Sequence, residues 1–250
     1  MVEPGRAPFV VEADGLRSLH FDYLSIQSCM RIADPLELVL GYTRTMMGFL
    51  LFTPEPRRIG MIGLGGGSIA KYCHEYLPQA DVTVVEINPE VIALRHEFAI
   101  PPDGDRFRIL CGDGTDFVRD PAEPLDVLII DGFDLDGQAA QLGSQAFYDD
   151  CHGKLAEGGT LVANLCGCDD RRSVYAQRIR AAFDDLELSI DAEELGNRIV
   201  FATRSTAFPP PPRALRDQAA RPERSHPMRY RLTAQRIIDR LREIAIDRAR

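Results

Sequence analysis

The chain carries no C-x-x-C pair, no ligand spacing among its five histidines, and no apolar window approaching 18 residues. The first two absences argue against a zinc or dithiol centre, and the third argues against a membrane span. The amino end, Met1 to Pro8, has no basic region followed by an apolar stretch, so a secretory leader is not supported. A cytoplasmic location is the resulting expectation. The six cysteines (29, 73, 111, 151, 166 and 168) are then expected to be reduced and mostly buried, with Cys166-Gly-Cys168 the only close pair. No metal is implied.

Positive charge is also scarce over most of the chain. The net charge is −9, and residues 211–250 hold eleven arginines against five acids, which leaves the preceding body near −15. Such a body repels nucleic acid phosphate and suits a cationic substrate. An acidic surface also serves solubility alone, so this is support rather than assignment.

What is present is a glycine cluster, Ile59-Gly-Met-Ile-Gly-Leu-Gly-Gly-Gly-Ser68, followed by Val84-Val-Glu-Ile-Asn-Pro89. An apolar run, glycines, a helical stretch and a second apolar run ending in Glu86 read as a βαβ unit built around a nucleotide or adenosyl ligand. Gly63, Gly65 and Gly67 allow tight turns and close backbone approach to that ligand. Glu86 lies 23 residues beyond Gly63, where a carboxylate at a strand end can accept from both ribose hydroxyls.

Strands are expected at 58–62, 81–86, 106–110, 125–130 and 159–164. Helices are expected at 67–77, 89–98, after Asp113, and at 144–156 and 171–183. This alternation specifies a doubly wound, mostly parallel α/β sheet with ligands at the carboxyl ends of its strands. A hairpin, Leu186–Ile190 with Arg198–Ala202, closes one edge and brings the sheet to seven strands.

Around this α/β domain, residues 35–204, the sequence suggests three further pieces. Residues 1–34 hold a small β segment whose third strand falls near Tyr23–Ile26, and Pro35 opens a helix running toward Phe52. Residues 205–229, with Pro209 to Pro212, Pro222 and Pro227, have the composition of an extended linker. Residues 230–250 form a basic amphipathic helix, with Ile237, Ile238, Leu241, Ile244 and Ala245 on a stripe that needs its own body or a second subunit to cover it. Membrane binding is disfavoured, since the apolar face is small and has no aromatics.

The ordered segments Gly63-Leu-Gly-Gly-Gly-Ser68, Val84-Val-Glu-Ile-Asn-Pro-Glu-Val91, Gly112-Asp-Gly-Thr-Asp-Phe-Val118 and Leu128-Ile-Ile-Asp-Gly-Phe-Asp134 resemble the spermidine synthase family of aminopropyltransferases. These have the class I methyltransferase-like Rossmann fold. The resemblance implies transfer of an aminopropyl group from decarboxylated S-adenosylmethionine to a small-molecule amine, and it implies a homodimer.

Position by position, it places Gln27, Gly63, Gly65, Gly67, Glu86, Ile87, Asp113, Gly114 and Asp131 around the nucleoside donor. Asp131 becomes the general base, Asp134 the anchor for the substrate ammonium, and Tyr42 a pocket tyrosine. Two carboxylates at i and i+3 suit this chemistry, since the attacking amine must be aligned and must then lose a proton.

Departures from the family pattern accompany the likeness. Gly66 stands where the family has an aspartate, Arg44 where it has an acid, and Leu135 where it has a proline. The family's P-x-Y-P-x-G segment is absent between the last two expected strands. These changes imply a pocket with fewer carboxylates and one added cation. They also make intact S-adenosylmethionine admissible, so methyl transfer to an amine is an alternative, and nucleoside binding without turnover is a third.

Overall fold

The computed structural model describes residues 7–23, 25–121, 123–134, 137–167, 170–194, 196–220 and 230–248. Three short strands come first: β1 (Phe9–Ala13), β2 (Leu16–His20) and β3 (Ser28–Arg31), joined as an antiparallel meander. The third strand lies later than expected. Tyr23 and Ile26 are exposed, whereas Cys29 and Met30 are buried, so burial rather than local alternation selects the paired segment.

Helix α1 (Gly41–Met46) continues as a 3-10 turn, Met47–Leu51. Residues 35–40 are not helical, contrary to the expectation from Pro35. The Arg44 guanidinium donates to the carbonyls of Leu38 at 2.5 Å and Val39 at 2.8 Å, which satisfies them in an irregular backbone.

The central unit then runs β4 (Arg58–Ile62), α2 (Ser68–Tyr76), β5 (Asp81–Glu86), α3 (Pro89–Ala93), β6 (Phe107–Cys111), α4 (Gly114–Arg119) and β7 (Leu125–Ile130). It continues through the two-residue strands β8 (Phe133–Asp134) and β9 (Gly137–Gln138), α5 (Gln145–Lys154), β10 (Leu155–Cys166), α6 (Arg172–Ala182), β11 (Glu187–Asp191) and β12 (Asn197–Thr203). The seven-stranded sheet has the order β11-β12-β10-β7-β4-β5-β6. Strands β10, β7, β4, β5 and β6 pair in parallel, and β12 runs antiparallel between β10 and β11.

Side-chain alternation divides the core between the two faces of this sheet. Val127 and Ile129 of β7 pack into one apolar cluster, while Leu128 and Ile130 pack into the other. Both faces are covered, and the β7 sequence accordingly reads as a continuous apolar run rather than an alternating one. Local chemistry sets the helix starts. Asn88 accepts from the Glu90 N–H ahead of Pro89, Asp113 accepts from Thr115 N–H, and Ser144 accepts from Phe147 N–H.

Two regions beyond the sheet differ from expectation or resolve it. Part of the supposed linker is helix α7 (Pro212–Ala220), because the last proline of the run occupies a first-turn position that tolerates it. Leu215 is buried there, and the Gln218 amide donates to the Leu50 carbonyl at 3.2 Å. Pro222 and Pro227 lie outside the described residues. Helix α8 (Arg231–Arg248) docks on its own chain, with Ile237 and Ile238 buried and Leu241 and Ile244 packed beside them. The Ala245 side chain lies outside the description.

Cysteines 29, 73, 111 and 151 are free, Cys111 being exposed, but Cys166 is disulfide-bonded. The expectation of uniformly reduced thiols is corrected at that residue. Cys168 lies outside the described residues. No helix among the described residues is long and apolar enough to cross a membrane.

Candidate active site

The chain passes from β4 outward to β5 and β6 and then crosses back to β7 on the other side of β4. The carboxyl ends of β4 and β7 therefore flank a topological switch point, where an open α/β sheet leaves a crevice. A cavity of about 210 Å³ occupies it. Residues following four strand ends line it: Gly63 to Gly65 after β4, Glu86 and Ile87 at β5, Gly112 to Gly114 after β6, and Asp131 to Phe133 after β7. Gln27 and Ser28 enter from the meander, Tyr42 from α1, and Gln141 with Leu142 from the segment before α5.

Gly63 shows why the first of these turns needs glycine. Its φ is +94°, and a Cβ there would stand 2.3 Å from the Asp131 carbonyl oxygen. The β4 and β7 ends can approach this closely only without a side chain. Gly67 sits one step behind the lining, at the start of α2 with φ +67° and against Ile100.

Backbone groups hold two of the acids. The Glu86 carboxylate accepts from Leu64 N–H and from Asn88 N–H, each at 2.8 Å. Burial pushes its pKa up, and these N–H groups together with Ile87 oppose that shift. Asp113 accepts from Thr115 N–H at 2.8 Å, so it caps α4 while lining the cavity.

Asp131 is held differently. Its Oδ1 accepts from the Asn164 amide at 2.8 Å, and its Oδ2 accepts from the Tyr42 hydroxyl at 3.3 Å. Burial raises its pKa from 3.8 to about 6 against the pull of these two donors. Burial, joined by the charge of Asp131, pushes the Tyr42 phenol well above its ordinary range, which keeps it protonated as a donor.

Three carboxylates thus face the cavity, and among the described residues no lysine, arginine or histidine lines it. The cation expected from Arg44 is not there. The Arg44 guanidinium turns away to Glu193 at 2.7 Å and Glu194 at 3.6 Å, on the far side of α1. Asp134 lies in β8, but its side chain is outside what the structure describes. At Gly66, where a carboxylate was expected from family likeness, a Cβ would come within 2.7 Å of Ser28 Oγ and 2.8 Å of Phe98 Cδ1. Phe98 is anchored in turn, since the buried Lys71 ammonium donates to its carbonyl at 2.6 Å. Neighbours already occupy the space for a side chain at 66.

Asn164 and Asn197 were not among the site residues expected from the sequence. The Asn197 amide donates to Asn164 Oδ1 at 2.8 Å, which completes a chain ending at Asp131. Asn164 could have been found from its place after the apolar run Leu161-Val-Ala of β10. Asn197 leaves no such sign, because it reaches the site only through the pairing of β12 with β10.

Fold and site together define an α/β protein of the class I methyltransferase-like kind with an anionic crevice at its switch point. Residues 39–181 match the family model for the spermine/spermidine synthase domain. The chain is 39% identical over 199 residues to the polyamine aminopropyltransferase of Neisseria meningitidis, covering 79% of this chain and 76% of that one. It is likewise 39% identical over 198 residues to the polyamine aminopropyltransferase of Chromobacterium violaceum, with 79% and 76% covered. A crystal structure described as a "probable spermidine synthase" from Corynebacterium glutamicum superposes with a TM-score of 0.70 at 21% identity, over 85% of this chain and 83% of that one. The chain belongs to the spermine/spermidine synthase family, a family of transferases.

Proposed function

We propose that this chain transfers the aminopropyl group of decarboxylated S-adenosylmethionine to an amine, with Asp131 as general base. One observation carries the reading: Glu86, Asp113 and Asp131 line a cavity that no basic side chain enters among the described residues. A sulfonium donor and an ammonium-bearing acceptor are both cations and are attracted to such a cavity. The family and the 39% identical relatives, named for aminopropyl transfer, support the same donor.

The acceptor nitrogen attacks with its lone pair and must therefore be neutral. The new N–C bond forms to the aminopropyl carbon beside sulfur as the C–S bond breaks, and the electron pair leaves on sulfur as neutral methylthioadenosine. The nitrogen becomes positive and gives its proton to Asp131. A carboxyl with a pKa of about 6 is ionised at neutral pH and still basic enough to accept that proton. Its bonds to Asn164 and Tyr42 fix its direction.

On the donor side, Glu86 takes the ribose hydroxyls with Ile87 beside it, Asp113 and Gly114 meet the adenine, and Gly63 and Gly65 give it room. Gly67 starts the helix behind that loop. Gln27 faces the thioether. Tyr42 and Asp134 serve the acceptor, Asp134 as the ammonium anchor.

Gly66 favours a second reading. The donor's tail meets no carboxylate at that position, so nothing there repels the carboxylate of intact S-adenosylmethionine, and methyl transfer is the alternative. Incubation with either donor and a panel of diamines and polyamines separates the two by mass spectrometry. Methylthioadenosine with an aminopropylated amine supports the proposal, whereas S-adenosylhomocysteine with a methylated amine replaces it.

The same reading places the enzyme in the cytoplasm as a homodimer. Ile237 and Ile238 are covered within the chain, so these two side chains are not the dimer contact. A monomeric mass in solution would refute it.

A further inference from the structure

We propose that Asn197 is a positioning residue for Asp131, acting through Asn164 to keep an N–H donor rather than a carbonyl oxygen turned toward the carboxylate. The inference rests on the reading of Asp131 as the base. It begins from an ambiguity in every buried asparagine: the amide is nearly symmetric in shape, so only its partners decide which end points where.

Asn164 is 2% exposed, so water cannot settle its orientation. Its Nδ2 donates to Asp131 Oδ1 at 2.8 Å, and its Oδ1 accepts from Asn197 Nδ2 at 2.8 Å. Asn197, donating to Asn164 Oδ1, favours the orientation that an ionised Asp131 needs, because a carboxylate can only accept. Removing the Asn197 donor leaves the buried Asn164 Oδ1 without that partner. A flipped amide then presents oxygen to Asp131, an arrangement compatible only with the protonated acid.

Position sharpens the assignment. Asn197 opens β12, where it pairs with Cys166 of β10, and it does not line the cavity. It touches neither substrate position nor the reacting carboxylate. Among the described residues, the other titratable groups around Asp131 are Tyr42 from α1, which donates to it, and Glu86 and Asp113 across the cavity. Glu193 and Glu194 of the hairpin loop are engaged by Arg44, and Asp191 of β11 pairs with Arg198.

The test follows the Asp131 carboxyl by carbon NMR in protein labelled at aspartate side chains, with Asp131→Asn identifying the resonance. Asn197→Asp keeps size and shape but offers no donor once ionised, and Asn197→Ala removes the group altogether. The Asp131 midpoint is expected to rise by on the order of one pH unit in Asn197→Asp and by less in Asn197→Ala. In turnover, kcat at neutral pH should fall and recover at higher pH, with little change in the donor KM. If Asn197→Asp does not fold, Asn197→Ala decides alone.

An unmoved midpoint, with any loss of kcat equal at every pH, overturns the inference. The titration needs no turnover. A raised midpoint in Asn197→Ala, which adds no charge, without any aminopropylated product keeps the Asn197–Asn164 arrangement and sinks the transfer, and product formation with an unmoved midpoint does the reverse.

Discussion

On the glycine-loop side of the crevice, Glu86 and Asp113 are bonded by backbone N–H groups close to their own strand ends. Asn88 and Thr115 each lie two residues on, and Leu64 lies across the neighbouring strand. On the β7 side, Asp131 is bonded by side chains 89 and 33 positions away, Tyr42 and Asn164. A carboxylate held by local backbone is fixed once the strand ends are formed. One held by remote side chains depends on how α1, β10 and β12 pack, and each of those contacts is open to substitution. On the proposed reading, the donor side is thus built into the fold, whereas the acceptor side is adjustable.

The largest expected effect breaks the adjustable side. Asp131→Asn should lower kcat by about 10²–10⁴-fold, the usual contribution of a positioned general base, and should weaken donor binding by calorimetry far less. Equal loss of donor binding would instead make Asp131 a binding residue. Glu86→Ala should weaken donor binding by about 10–100-fold, since it removes a charged acceptor and leaves the N–H groups of Leu64 and Asn88 without it. An unchanged Kd would remove Glu86 from the donor site.

Effects on the shared framework should be smaller in turnover and visible in stability. Ile129→Ala opens a cavity under β7 and should cost about 2–5 kcal/mol in chemical denaturation. Gly63→Ala forces a Cβ against the Asp131 carbonyl at positive φ and should cost about 1–3 kcal/mol, disturbing both sides of the crevice together. Normal stability and normal kinetics in Gly63→Ala would mean that β4 and β7 do not meet as described.

The pH dependence of stability sharpens the contrast most finely. The folded-state pKa of Asp131 lies above its ordinary 3.8, at about 6, so the native chain binds more protons than the unfolded chain between those values. This group's contribution to stability therefore falls as pH rises through that window, and Asp131→Asn should remove that component. Denaturation midpoints of the two proteins compared from pH 4 to 7 measure it. Parallel curves would contradict the buried environment of Asp131.

How much of this was legible in the sequence follows the same division. The glycine loop, Glu86 and the apolar runs of β4, β5 and β7 carry local signals, and those strands occupy their expected residues. Residues 35–40 were not legible, because the irregular backbone there is satisfied by Arg44, whose direction depends on Glu193 in a distant hairpin. The helix within the proline-rich stretch escaped for a related reason, since burial of Leu215 and the Gln218 bond to Leu50 outweigh composition. Asn197 could not be identified from its own neighbours at all. Its role exists only once β12 lies against β10 in the observed register.

Whether Asp131 accepts the proton during aminopropyl transfer is read from the pH profile of kcat/KM with decarboxylated S-adenosylmethionine and a turned-over amine. A limb rising through about pH 6 in the native enzyme and lost in Asp131→Asn is the expected result. The same limb in both proteins would contradict it.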